Sequence, residues 1–316
     1  MLALALNIKV MSPTSTGIAL KLSNTLAFAL MYAAIKLAGT FPVGEVIFFR
    51  SAFALIPVLA FAVWSGGVRE GIITQRPLFH VLRSMAGLAG MFLNFAALAR
   101  LPLADITGFS FVAPIFAVVL ATIMLHERAS VERWIAVTAG FSGVLLMLQP
   151  HGGVLHLMRA GFTSGAGLAL MGALLSAFVV VFIRQMSATE RSEAIVFYFM
   201  LTCAVVSGAT LFWHWTTPTW SAAGWLVLAG ILGGIGQLCM TFSYRHAAPS
   251  LLAPFDYVAM VWAAALGYFV LGEVPQPLVM LGAAVVIAAG LFIIWRERRR
   301  HLASADAAEM AIQVSE

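Results

Sequence analysis

Five polar side chains stand inside otherwise apolar stretches of the chain, and each has chemistry suited to holding a small molecule: Arg50, Asn94, Tyr198, Gln237 and Asp256. Arg50 falls within VGEVIFFRSAFALIPVLAFAVW, residues 43–64, seven positions past Val43. At 1.5 Å per helical residue that is roughly 10 Å from the start of the stretch. Its planar fork suits bidentate contact with an anionic or carbonyl group. The structural alternative is a pair with Glu45, five positions earlier and imperfectly in register on a helix. Asp256 follows Pro254 and lies deeper than a helix cap requires, which suits it to bind a cationic group or carry a proton. Asn94, Tyr198 and Gln237 either line the same site or bond between helices. Lys36 and Glu45 flank the turn LAGTFPVG and read as pathway or gating residues, or alternatively as a hairpin ion pair with a snorkelling lysine. Arg83, with His80 beside it in sequence, marks the mouth of a pathway or simply a helix end.

The other motifs point away from catalysis. No HExxH, GxSxG or carboxylate pair lies in the apolar stretches, and no Walker-type loop is present. The expectation is binding without bond-breaking: no enzyme, no catalytic residue, no metal and no cofactor. Asp105 after Pro102 complements a helix N-terminus. Glu127 and Glu273 read as caps at the ends of matched segments, Trp213, Trp215 and Trp220 as an interfacial belt, and Cys203 and Cys239 as small core residues.

These residues need elements to hold them, and composition says which. The chain has 316 residues, 62% hydrophobic and 10% charged, with a mean hydropathy of +0.98. Soluble domains are nearer half apolar and a quarter charged, so this is a polytopic membrane protein. The net charge of +5 does not indicate nucleic acid, because the basic residues sit in short loops and one tail. The N-terminal MLALALNIKV is too short in its apolar run for a signal peptide, and Met11 is an alternative start. Ten spans are expected, near 18–38, 43–64, 78–99, 103–125, 132–149, 165–185, 194–214, 221–243, 250–271 and 278–295. Helices are required, since an open sheet leaves its backbone unpaired in lipid. Fourteen of the 18 lysines and arginines fall on one side, only Arg100 and Arg159 on the other, and Lys36 and Arg50 within spans. The positive-inside rule then puts both termini in the cytoplasm. The basic start of the tail WRERRRHLASADAAEMAIQVSE fits an anionic inner leaflet, and its end is expected to be disordered.

The two halves repeat. Gly17, Lys36 and Glu45 fall 148 residues before Gly165, Arg184 and Glu193; Gly87, Gly90 and Glu127 fall 146 before Gly233, Gly236 and Glu273. The organisation is a cytoplasmic segment 1–16, a first five-helix repeat 17–150, a second 165–297, and a basic tail 298–316. Five spans is an odd number, so the second repeat enters from the opposite side. Inverted repeats of this kind support alternating access around a site near the bilayer midplane.

Together EVIFFRSAFALIPV, a proline in span 4 with Glu127 at its end, RW followed by GFSG in span 5, and LGEVPQPLVMLGAAVVIAAGLFIIW resemble the EamA-type carriers of the drug/metabolite transporter superfamily. The resemblance covers about 17–297 and implies an all-α bundle of ten helices, two inverted five-helix repeats, in a bacterial inner membrane. It implies that spans 1–4 and 6–9 surround a central cavity with spans 5 and 10 outside. It also implies a secondary transporter of a small polar metabolite, amino-acid-like or a drug/metabolite efflux substrate. An uptake carrier for riboflavin or S-adenosylmethionine is an alternative within transport, and a membrane-embedded enzyme using Asp256 or His80 is the alternative outside it. Expected partners are the substrate and the lipid bilayer, with protons as a candidate coupling ion and a homodimer as a candidate assembly. Two positions depart from internal symmetry: Met260 replaces Pro114, and Tyr198 replaces Arg50.

Overall fold

The computed structural model describes residues 13–65, 74, 76–113, 115–116, 119, 131–160, 164–186, 190–210, 212, 215–247, 252, 255–292 and 295. Among them every regular element is helical. The helices are α1 (Pro13–Ala38), α2 (Val43–Trp64), α3 (Pro77–Leu98), α4 (Leu103–Ser110), α5 (Val131–Leu148), α6 (Gly165–Met186), α7 (Ser192–Thr210), α8 (Trp220–His246), α9 (Val258–Leu271) and α10 (Pro277–Phe292). A short helix, Gly153–Ala160, lies between α5 and α6. Five of these, α1, α2, α3, α7 and α8, are long and apolar enough to cross a membrane, and α6, α9 and α10 contain shorter apolar helices. Much of the fourth expected span, with Pro114 and Glu127, lies outside the described residues, as do Trp213 and the C-terminal tail.

Local sequence sets the ends. Pro77 opens α3, where its missing N–H is not needed. Thr219 caps α8, its hydroxyl accepting from the Ala222 N–H at 3.3 Å. After α9, Gly272 takes a left-handed φ of 67°, and the Glu273 N–H donates to the Gly267 carbonyl at 2.8 Å. That turn aims Glu273 back over the end of the bundle.

Packing follows the repeat. α1 lies along α8, and α3 along α6; α8 also packs on α2, and α3 on α7; α9 packs on α1, and α4 on α6. Exchanging α1 with α6, α2 with α7, α3 with α8 and α4 with α9 maps each pair onto its companion, while α2 against α7 maps onto itself. Glycines permit the close crossings. A Cβ on Gly234 of α8 would stand 2.5 Å from the Ala54 carbonyl oxygen and 2.6 Å from Pro57 Cγ of α2. The outer pair, α5 and α10, touch backbone to backbone where Gly143 faces Gly282.

Spans 4 and 9 are both interrupted. α4 ends at a turn through Phe111 and Val112, and the Phe116 N–H then bonds the Val112 carbonyl as helix resumes. In span 9 the turn falls at Tyr257, just before α9, three residues after Pro254. Phe111 and Tyr257 are 146 positions apart, the offset of the repeat. Their rings meet edge to face with centroids 5.2 Å apart. The two broken helices therefore meet where the halves meet.

Candidate functional site

Two arginines occupy the middle of the seam between the repeats. Arg50 on α2 and Arg83 on α3 are 4% and 2% exposed. Both approach the ring of Phe199 on α7: the Arg83 guanidinium carbon stands 3.8 Å from the ring centroid and that of Arg50 6.0 Å. The guanidinium carbons are thus no farther apart than the sum of those distances. Arg50 Nη1 also lies 2.9 Å from Met200 Sδ and 3.8 Å from Met91 Sδ, and thioethers are weak acceptors. Arg50 Nε and Arg83 Nε and Nη1 are buried without a hydrogen-bond partner. One charge at the centre of a bilayer costs about 2.5–3.5 kcal/mol on insertion scales. Two like charges near one ring raise that cost further.

Glycine makes the room. A Cβ on Gly233 would come within 3.1 Å of Arg50 Nε, and one on Gly87 within 3.3 Å of Arg83 Nη1 and 2.6 Å of the Phe199 ring. These are a repeat-related pair from the sequence, and each clears space for one arginine.

Glu45 is not the partner of Arg50. It is fully buried, and its Oε2 accepts from the Thr216 N–H at 3.1 Å, tying the start of α2 to the loop before α8. Five positions is well beyond one helical turn, so the two side chains diverge. Lys36 likewise does not pair with Glu45. It pairs with Glu273 Oε1 and donates to the Leu101 carbonyl at 2.7 Å, while Glu273 Oε2 accepts from the Leu103 N–H at 2.7 Å. Glu273 therefore closes one end of the bundle by joining α1, the start of α4 and the turn after α9. The cap expected there is an inter-repeat clamp, because the Gly272 turn points its carboxylate across the bundle.

The other expected residues fall in separate clusters. Asp256 pairs with Lys21 of α1 at 2.6 Å; the Lys21 side chain is 2% exposed and that of Asp256 44%. Tyr198 stacks obliquely on His80 at 4.8 Å, His80 Nε2 lies 3.3 Å from Glu190 Oε2, and Glu190 Oε1 accepts from the Arg76 N–H at 3.1 Å. Tyr198 thus sits with the loop-end cluster of α3 and α7. Asn94 lies against Gly172 of α6, where a Cβ would meet its side chain at 2.8 Å. Gln237 is buried on α8. Asp105 is fully buried in the first turn of α4, with Oδ2 3.1 Å from His151 Nε2.

Sequence reasoning missed Phe199, Lys21, His151 and Glu190 as members of these groups. The sequence groups Lys21 only with the cations of one side, and it is buried against Asp256, an acid far along the chain. Phe199 adjoins Tyr198 in a run of aromatics, and nothing in that run singles it out.

The EamA-like transporter family model matches residues 15–149 and again 163–295. The chain belongs to the EamA-like transporter family. Among relatives in this family, an S-adenosylmethionine uptake transporter of Rickettsia prowazekii (strain Madrid E) is 30% identical over 258 residues, 81% of this chain and 84% of that protein. A riboflavin transporter of Rhizobium johnstonii is 29% identical over 285 residues, 90% of each. The pseudopaline exporter CntI of Pseudomonas aeruginosa (strain UCBPP-PA14) is 26% identical over 278 residues, 87% of this chain and 94% of that protein. A solved crystal structure at 18% identity shares the fold, with a TM-score of 0.64 over 90% of this chain and 98% of its own. The EamA-like chain is accordingly a multi-pass membrane transporter of the drug/metabolite transporter superfamily, built from two copies of one helical domain.

Proposed function

We propose that this protein is a secondary transporter that moves a small polar metabolite across a bacterial inner membrane by alternating access. The observation that carries the reading is the meeting of two interrupted, repeat-related helices at Phe111 and Tyr257; two buried arginines, Arg50 and Arg83, stand on α2 and α3 of the same bundle. Broken helices at a repeat interface are the usual place for a carrier to bind its cargo. Arg50, Asn94, Tyr198, Gln237 and Asp256 are the proposed substrate contacts, with Lys36, Glu45 and Arg83 along the pathway or its gates. The Lys36–Glu273 clamp closes one end of the bundle and must part for that end to open. Both termini are proposed to face the cytoplasm, protons to be the coupling ion through Asp256, and a homodimer to be the assembly. The chain is proposed not to be an enzyme; among the described residues its polar clusters pair acids with bases.

A second reading, uptake of riboflavin or S-adenosylmethionine, is supported by similarity to transporters of those names. Liposomes containing the purified protein decide between them. Saturable exchange of one labelled compound among riboflavin, S-adenosylmethionine and a panel of amino acids identifies the cargo class. Chemical turnover of a substrate without its translocation overturns the carrier reading.

A further inference from the structure

The basic side chains described above divide into two groups. Lys21 faces Asp256, Lys36 faces Glu273, and the imidazoles of His80 and His151 face Glu190 and Asp105. Each of those has an acid within reach. Arg50 and Arg83 have none among the described residues; their neighbours are Met91, Met200 and the Phe199 ring.

We infer that Arg50 and Arg83, with Phe199 between them, form a paired-cation site for a compact acidic metabolite carrying two negative charges, on two carboxylates or one phosphoryl group. The chemistry follows from the geometry. The Arg83 guanidinium carbon stands 3.8 Å over the centre of the Phe199 ring, within cation–π range. Its Nε and Nη1 have no hydrogen-bond partner and are available to grip an oxyanion. Arg50 brings an unpartnered Nε to the same region. A single negative charge balances one arginine and leaves the other buried and unpaired. Two negative charges balance both, and pairing is what makes a buried charge tolerable. Gly87 and Gly233 keep the space beside both forks clear of side chains. The inference deepens the transporter reading and rests on it for the meaning of the bound anion as cargo.

The test uses the full-length protein in detergent, with succinate and inorganic phosphate as doubly charged probes and acetate as the singly charged control, at matched ionic strength. The expected result is a saturable rise in melting temperature with succinate or phosphate at concentrations at least tenfold below any effect of acetate. Arg50→Gln and Arg83→Gln each abolish the rise. Should those variants fail to fold, Arg50→Lys and Arg83→Lys weaken the apparent affinity at least tenfold. Met200→Glu supplies an internal carboxylate beside Arg50; it raises the melting temperature of the unliganded protein and removes the response to succinate. The inference is overturned if neither dianion stabilises the wild type beyond acetate, if the arginine variants respond as the wild type does, or if Met200→Glu leaves the succinate response intact. Liposome flux separates this from the transporter reading. Riboflavin or amino-acid exchange without dianion binding sinks the paired-cation site alone. Dianion binding without flux of succinate, phosphate or any other compound sinks the transporter reading alone.

Discussion

A guanidinium in the middle of a membrane protein is held there against a cost, and its surroundings say what for. The sequence exposes Arg50 because it is a lone charge in an apolar run, but it offers Glu45 as a partner, and that pair does not form. Substitution therefore has a sharp expectation. Arg50→Lys keeps the charge and loses the fork, which weakens substrate affinity by about 1.5–3 kcal/mol, roughly ten- to a hundredfold. Arg50→Ala nearly abolishes transport, and adding Glu45→Gln does not restore it; recovery of wild-type flux in the double variant means that the arginine is structural. The Lys36–Glu273 clamp behaves in the opposite way. Lys36→Met or Glu273→Gln alone lowers stability by about 1–3 kcal/mol by stranding the other group, and the double variant recovers much of that. Melting temperatures for the three variants check it, and additive losses contradict the pairing. Asp256 carries the same logic into coupling. Asp256→Asn removes the ion pair with Lys21, so the informative variant is Asp256→Asn with Lys21→Met, which is expected to insert normally and lose dependence on a pH gradient. Gradient-driven flux that survives the double change removes Asp256 as the proton carrier. The acids and cations were legible one at a time; their partners were not, because each lies on a helix distant in sequence.

Helices were the most legible feature, since length and hydropathy fix them without reference to neighbours. The repeat offset also carried structural content. Gly87 and Gly233 were paired by sequence alone, and they turn out to flank the two arginines. What one sequence does not mark is where a helix breaks: Phe111 and Tyr257 look like ordinary span residues, and only the nearby prolines hint at the turns. Glycine contacts on α8 give a paired prediction. Gly234→Val forces a side chain into the Ala54 carbonyl and Pro57, and lowers the melting temperature by the equivalent of about 1–3 kcal/mol. Gly224 has open space around its missing Cβ, so Gly224→Ala on the same helix is expected to be neutral or to stabilise by about 0.5–1 kcal/mol. Equal effects from the two changes contradict the α2–α8 packing.

The whole molecule is two copies of one domain, and the proposed alternating access depends on their exchange of shape. Orientation is testable first. Reporters fused after Arg76, Arg133, Arg191 and at the C-terminus are expected to read cytoplasm, and those within 151–160 or 215–220 the opposite side; a C-terminus outside the cytoplasm contradicts the inverted repeat. The paired exchange of contacts between α1–α8 and α3–α6 supplies two related packings of one seam, which is the structural need of a carrier that opens alternately to each side. The decisive measurement is counterflow in liposomes. Vesicles carrying the purified protein are loaded with an unlabelled compound, and entry of the labelled compound is followed without any imposed ion gradient. An alternating-access carrier accelerates entry well above that into unloaded vesicles, saturably, and Arg50→Ala removes the effect while the protein remains folded. Entry that is linear in concentration and indifferent to internal loading contradicts alternating access.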